Sequence, residues 1–332
     1  MSGKMEMAKN APVLEIRNLS VGFNGARGQA IAVNDVSLTV PAGKVVGIVG
    51  ESGSGKTTLI SAALGLISRQ TAEITGEVKF EGRDILNMSE RELRAIRGTD
   101  IAMIFQDPMT ALNPSMSIGT LMTDIQYRDQ GVSMAEKRRK AVEMLRRVGI
   151  PDPESRLTQY PHEFSGGMRQ RICIAMALLG QPRLLIADEP TTALDVTMEA
   201  QIIHLLRKLQ QDFHTSIVFV SHNLGIIAEI CDYVAVLYSG CLVEQGEVDH
   251  IFHNPQHPYT KALLACDPAL LPEHVTDFPA IPGEVPGPFD RPAGCIFQAR
   301  CNLAADICRQ VSPPLRPVEA DHAAACHMAK GV

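Results

Sequence analysis

The chain of 332 residues contains no tryptophan, and aromatic residues make up only 5 % of it. That scarcity says little about function; the other absences say more. There is no positive excess: 31 Lys+Arg stand against 37 Asp+Glu, a formal net charge of −6, so the basic footprint of a nucleic-acid binder is missing. There is no long apolar run either. The best candidate, residues 172–180, spans nine positions between Arg171 and Gln181, against about 18 for a membrane helix. Residues 1–16 carry Lys4, Glu6, Lys9 and Glu15 and lack the apolar core of a secretory leader. Internal repeats and low-complexity tracts are also absent. The remainder is ordinary globular composition, 45 % hydrophobic and 20 % charged, long enough for one large domain or two smaller ones. A cytosolic location is expected. The eight cysteines then suggest metal binding before disulfides.

Two regimes follow one another along the chain. Up to about residue 250, apolar runs alternate with helical patterns, as in an α/β protein. From Ile251 onward, 12 of the 21 prolines and five of the eight cysteines fall within 82 residues. Proline lacks the backbone donor a helix needs, so this segment reads as a loop-rich appendage, held by bound metal because its own core is thin. In the first regime, strands are expected at 13–17, 32–40, 45–49, 78–80, 101–105, 184–187 and 216–220. The run 45–49 is uniformly apolar, as a central parallel strand covered on both faces should be. Helices are expected at 57–66, 133–148, 169–180, 197–213 and 224–230. Ser133 and Glu136 have capping-box spacing. Residues 234–244 read as a hairpin turning at Ser239-Gly240.

The chemistry begins at Gly50-Glu-Ser-Gly-Ser-Gly-Lys-Thr57, which satisfies G-x-x-x-x-G-K-[ST] between a strand and a helix. In such a loop, glycines let backbone amides curl round phosphates, and the helix start adds a favourable field. Gly50, Ser52, Gly53, Gly55 and Thr58 belong to that cradle. Lys56 supplies charge to the transferred phosphoryl group and the Thr57 hydroxyl ligates Mg²⁺. Downstream, Leu184-Leu-Ile-Ala-Asp-Glu-Pro190 ends an apolar strand in two carboxylates. Asp188 suits the hydration shell of the Mg²⁺, and Glu189 suits the attacking water. Together these residues indicate a nucleoside-triphosphate hydrolase.

Further motifs resemble the nucleotide-binding subunits of ATP-binding-cassette transporters, in particular the peptide/nickel importer branch. Phe164-Ser-Gly-Gly-Met-Arg-Gln-Arg171 is similar to the cassette signature, Gln106 to the Q-loop, Thr192-Ala-Leu-Asp195 to the D-loop and His222 to the switch histidine. Phe23 sits where the family places an aromatic against adenine. The resemblance implies a P-loop NTPase fold with a RecA-like core, an antiparallel β subdomain, a helical subdomain at about 107–170, and a C-terminal extension. The cassette would occupy 13–250 and the extension 251–332. It implies that Ser165, Gly166, Gly167 and Met168 act on a partner's ATP, that Asp195 helps join the paired sites, that Gln106 contacts Mg²⁺ and the attacking water, and that His222 contacts the γ-phosphate or orients the water with Glu189. Asn223 replaces the family's usual aspartate. Asp107-Pro-Met-Thr-Ala-Leu-Asn-Pro114 and Tyr160-Pro-His-Glu163 resemble the importer version of the helical subdomain, where Met109, Leu112 and Met116 are candidate permease contacts.

The extension carries Cys295, Cys301, Cys308 and Cys326. Four thiolates satisfy either tetrahedral Zn²⁺ or a [4Fe–4S] cube, and the spacing alone leaves both open; the resemblance favours iron–sulfur. Cys173, Cys231 and Cys241 read as small core residues. The function so implied is ATP-driven import of dipeptides or oligopeptides. The partners would be a second ATPase subunit, two permeases and an extracytoplasmic peptide-binding protein, without nucleic acid, and the chain would sit on the cytoplasmic face of the membrane. A nickel or glutathione importer, or a soluble cassette ATPase outside transport, are the alternatives.

Overall fold

A computed structural model describes residues 11–25, 28–129, 131–192, 194–267 and 279–329. The chain divides into two compact units, Met1–Met88 with Phe219–Val332, and Ser89–Val218.

The first unit holds an antiparallel sheet and a larger mixed one. In the antiparallel sheet, strands β1 (Leu14–Gly25), β2 (Gly28–Val40), β4 (Ala72–Phe80) and β5 (Arg83–Asp84) lie in the order β2-β1-β4-β5. The strands run well beyond 13–17, 32–40 and 78–80. Cross-strand pairing carries β1 and β2 down to Gly25↔Gly28, through a stretch whose polar residues hide the alternation. Register shifts bend the pair. There the left-handed Asn18 (φ 49) donates from its side chain to Asp35 at 2.8 Å. In the mixed sheet, β3 (Val45–Val49) pairs parallel with β9 (Tyr233–Tyr238). Strand β10 (Cys241–Glu247) turns back on β9 through left-handed Ser239 and Gly240. Every residue of β3 is buried, which is why the sequence there is apolar without alternation.

Beyond β10, the Pro- and Cys-rich segment does not hang from a cysteine-bound metal. Its last strands, β11 (Arg316–Glu319) and β12 (His322–Ala324), extend the mixed sheet in the order β11-β12-β10-β9-β3. Strand β12 pairs with β10 from Glu244↔Ala324 to Gly246↔His322. Ile31 N–H donates to the Pro288 carbonyl, and Arg291 donates to the Ser239 carbonyl at 2.7 Å. Backbone hydrogen bonds and arginine forks therefore do the holding expected of a cluster.

In the second unit, β6 (Ile101–Ile104) and β7 (Leu184–Asp188) pair in parallel. The start of β8 (Ser216–Val220) follows β7, with Ser216 N–H donating to the Arg183 carbonyl; the division between the units falls inside β8. Helices Met134–Arg147, Gly166–Leu178 and Val196–Phe213 form close to the expected places. The Ser133 hydroxyl caps the first of them by accepting from Glu136 N–H. The Glu136 carboxylate turns instead to Arg139, at 2.7 and 2.9 Å, because a charged fork outcompetes a backbone amide. A complete capping box lies elsewhere: Ser89 and Glu92 close the start of helix Glu90–Ile96. Leu112, a candidate permease contact, is buried, and Met116 is half-buried; the Met109 side chain lies outside the described residues. Among the described residues, no helix is long and apolar enough to cross a membrane.

Candidate active site

The chain leaves β3 and turns at once through the glycine-rich loop into helix Lys56–Ala63. Two glycines are obligatory there. A Cβ on Gly50 would lie 2.1 Å from the Leu237 carbonyl oxygen, and one on Gly55 (φ 94) would lie 2.5 Å from that of Ala32. Lys56 is buried and folds back over its own loop. Its Nζ donates to the carbonyls of Gly50 (2.7 Å) and Glu51 (3.0 Å) and to Ser54 Oγ (3.4 Å). Ser52, Gly53 and Thr57 are exposed and Thr58 is half-buried. A loop of this kind presents backbone amides and one ammonium group to an anion at a helix start.

In the same unit, Ser221 N–H donates to the Ile48 carbonyl at 3.2 Å, so the chain leaving β8 passes beside β3. His222 follows, exposed. Asn223 Oδ1 accepts from Ile226 N–H and caps helix Leu224–Ile230. An aspartate oxygen does the same work, so the departure from the family pattern leaves the local fold intact. Phe23 is half-buried on β1, opposite Ala30 of β2 and Ala72 of β4.

The second unit collects the acidic candidates. Asp188 ends β7 and is buried. Glu189 follows with φ 46, a left-handed conformation that costs a non-glycine residue about 1–3 kcal/mol and often marks a functional position. Its Oε2 accepts from Gln106 Nε2 at 3.1 Å and from Thr192 Oγ1 at 2.9 Å. Parallel pairing of Ile104 with Ala187 brings the two strand ends side by side, which unites Gln106 and Glu189. Ser165 caps helix Gly166–Leu178, accepting from Met168 N–H at 3.4 Å. Gly166 faces open space, while a Cβ on Gly167 would strike the end of Met198. Asp195 caps helix Val196–Phe213 through Met198 N–H at 2.9 Å; Ala193, inside the D-loop motif, lies outside the described residues.

Residues to which the sequence reading gave no role in the nucleotide site reach the phosphate loop from the extension. Arg300, its side chain 3 % exposed, donates NH1 and NH2 to the two oxygens of Glu51 at 2.8 and 3.1 Å. It also donates to the Pro282 and Ile281 carbonyls and to Tyr238 Oη. The Tyr259 hydroxyl accepts the Glu51 N–H at 2.9 Å; burial pushes this phenol up from its ordinary value, so it stays neutral. Rings of Tyr238, Tyr259 and Phe297 pack edge to face or tilted, with centroids 4.6–5.4 Å apart. His257 caps the helix Pro258–Ala265 that carries Tyr259, its Nδ1 accepting from Tyr259 N–H at 3.0 Å. Burial holds this imidazole down at about 4, against a smaller opposing effect of Glu244. Glu51 occupies a free position of the loop motif, and 249 positions separate it from Arg300, so no local pattern announces the pair.

The iron–sulfur expectation is corrected here, and the zinc alternative at the same cysteines with it. Among the described residues, a single group of three or more His, Cys, Asp or Glu side chains brings its donor atoms within 4.8 Å of one another: His250, Glu319 and His322. Cys295, Cys301, Cys308 and Cys326 do not form such a set. Cys326 packs with Val318, Ala324 and Ala329. Burial pushes the Cys295 thiol up to about 11. No disulfide links any of the eight cysteines.

Residues 33–192 match the ABC transporter family, and residues 243–308 match the C-terminal region of oligopeptide/dipeptide transporters. The chain is 45 % identical to the oligopeptide transport ATP-binding protein OppD of Bacillus subtilis, over 95 % of this chain and 88 % of that one. It is likewise 45 % identical to the dipeptide transport ATP-binding protein DppD of Escherichia coli, over 95 % and 96 %. Among solved structures, it resembles a dimeric post-hydrolysis ATP-binding cassette bound to ADP and phosphate, with a TM-score of 0.63 and 26 % identity over 71 % of this chain and 98 % of that one. CbiO1 from Clostridium perfringens, part of the ABC transporter complex CbiONQ, aligns with a TM-score of 0.62 and 27 % identity, over 73 % and 91 %.

Proposed function

We propose a role in peptide uptake from one premise: the chain belongs to the ATP-binding subunits of peptide ABC transporters. It hydrolyses ATP, and that hydrolysis drives import of oligopeptides or dipeptides. The observation that carries this reading is the oligopeptide/dipeptide C-terminal region at 243–308, attached to a complete phosphate loop. The working assembly pairs this chain with a second ATPase subunit and two membrane permeases, supplied by an extracytoplasmic binding protein. The chain itself sits at the cytoplasmic face of the membrane. Residues 13–250 form the cassette, with a helical subdomain at about 107–170, and 251–332 form the extension.

We assign the site residues as follows. Backbone amides of Gly50, Ser52, Gly53, Gly55 and Thr58 hold the phosphates of ATP, Lys56 neutralises the γ-phosphoryl charge, and Phe23 stacks on the adenine. Thr57 and Gln106 contact Mg²⁺, and Asp188 holds its hydration shell. Glu189 accepts a proton from water as that oxygen attacks the γ-phosphorus and ADP departs. His222 contacts the γ-phosphate. The 3.1 Å contact between Gln106 and Glu189 supports a shared task on one water molecule. Ser165, Gly166, Gly167 and Met168 close over the partner's ATP, and Asp195 links the paired sites.

Two measurements test this reading. Steady-state ATP turnover is compared between the wild type and Glu189→Gln; equal rates would remove Glu189 as the base. Gentle detergent extraction from native membranes is followed by mass spectrometry of what remains attached. Two permeases, a second cassette and a peptide-binding protein are expected, and recovery of soluble partners alone would overturn the transport role.

A further inference from the structure

The convergent group formed by the end of the cassette and the last hairpin of the extension has the makings of a metal site. We propose that His250, Glu319 and His322 bind one divalent transition-metal cation, with Glu244 bracing His322 from behind.

The backbone builds this group. His250 lies in helix Val248–His253, Glu319 ends β11, and His322 begins β12, where it pairs directly with Glu319. One donor atom from each of the three comes within 4.8 Å of the others. The Glu244 carboxylate is fully buried. It accepts backbone N–H from Gln256 (2.6 Å) and His257 (3.0 Å), and its Oε1 lies 2.8 Å from His322 Nε2. With the Glu244 oxygens accepting from both amides, the His322 Nε2 opposite them is placed as the donor. That tautomer leaves a lone pair on Nδ1.

His322 is 3 % exposed, and its buried Nδ1 has no hydrogen-bond partner; neither has the buried Nδ1 of His250. A buried acceptor without a partner is the exception in native proteins and asks for a missing ligand. A carboxylate fixing the far nitrogen of an imidazole is the usual support of a metal-binding histidine. Glu319 supplies the anionic oxygen: its Oε1 accepts from Asn254 at 3.0 Å while Oε2 faces His250 Nε2 at 3.9 Å. Two imidazoles and one carboxylate suit Zn²⁺, Co²⁺ or Ni²⁺; Mg²⁺ and Ca²⁺ prefer all-oxygen sets. A groove lined by Ile16, Gln245, Glu319 and His322 provides entry. The bound ion clips the helix to the terminal hairpin of the extension.

The test titrates the full-length chain, free of nucleotide, with Co²⁺ and then Zn²⁺. One equivalent of Co²⁺ is expected to bind with d–d absorption and without thiolate charge-transfer absorption. Glu319→Gln alters a half-exposed residue and keeps an acceptor for Asn254; it is expected to fold normally and lose that equivalent, as is His250→Ala. Glu244→Gln is expected to weaken binding about 10–100-fold. Zn²⁺ should raise the unfolding temperature of the wild type and leave that of Glu319→Gln unchanged. Equal Co²⁺ stoichiometry in the wild type, Glu319→Gln and His250→Ala would overturn the proposal. So would a spectrum dominated by thiolate charge transfer, which would place the ion on the cysteines.

Discussion

The phosphate loop and the Gln106–Glu189 corner carry their charges in opposite ways. In the loop, charged groups are saturated by rigid neighbours: Lys56 donates to three oxygens, and Glu51 is gripped by a buried arginine and a tyrosine hydroxyl. At the corner, a half-buried carboxylate on left-handed backbone receives hydrogen bonds from neutral side chains, one of them an exposed glutamine. The first arrangement suits a geometry made once and kept. The second suits a group that has to exchange partners at every turnover. Substitutions in the two regions should therefore fail differently, in turnover at the corner and in affinity or stability around the loop.

The sharpest separation should come from Glu189→Gln. Turnover is expected to fall about 10²–10⁴-fold while the Kd for ATP, measured by equilibrium binding, stays near the wild-type value. A parallel loss of ATP binding would break the contrast. The next largest effect concerns His257, which supports Tyr259 behind the loop. Its folded value near 4 lies below the ordinary 6.5, so the unfolded chain takes up a proton that the folded chain refuses. The folded state has its full advantage above about pH 6.5 and loses it as the pH falls towards 4, by about 3 kcal/mol in all. Urea unfolding at pH 7 and pH 5 should show the difference, and His257→Gln should reduce it.

Arg300→Ala should raise the KM for ATP about 10-fold with a smaller change in kcat. It should also cost about 2 kcal/mol of stability, since Glu51 is left without its partner. Lysine at 300 should restore only part of this, because it cannot engage both carboxylate oxygens in one plane. The smallest expected effect is at the cap. Asn223→Ala should cost about 1 kcal/mol, whereas Asn223→Asp should stay within a few tenths, read as shifts in the midpoint of thermal unfolding. A large loss of turnover in Asn223→Asp would show that the position is tied to the chemistry at His222.

Much of the cassette is readable from local pattern, for identifiable reasons. Strand β3 is covered on both faces and has to be apolar throughout; Gly50 and Gly55 admit no other residue; Ser133, Ser165 and Asp195 cap the helices that follow them. The contact of Gln106 with Glu189 follows once their two strands are neighbours. The extension resists such reading because its bonds are distant in sequence. Arg300 finds Glu51 across most of the chain, and β12 finds β10 through backbone groups that carry no residue code. Its prolines and cysteines suggested a cluster as staple, while the actual ties are a guanidinium, a phenol and a strand register. The ends of β1 and β2 are hidden for a milder reason: Asn24, Gly25, Gly28 and Gln29 break the apolar alternation, and cross-strand pairing keeps them extended.

The pairing of β12 with β10 also sets an order of assembly. During synthesis β3 emerges long before β9 and β10, and once these have joined it β10 still presents unpaired amides and carbonyls along one side. That side stays open until the ribosome has delivered the distant hairpin that covers it. An uncovered strand edge recruits other chains, and N-terminal portions ordinarily fold first. Nascent or truncated forms lacking residues 316–324 should therefore be the species that chaperones hold and that aggregate when released.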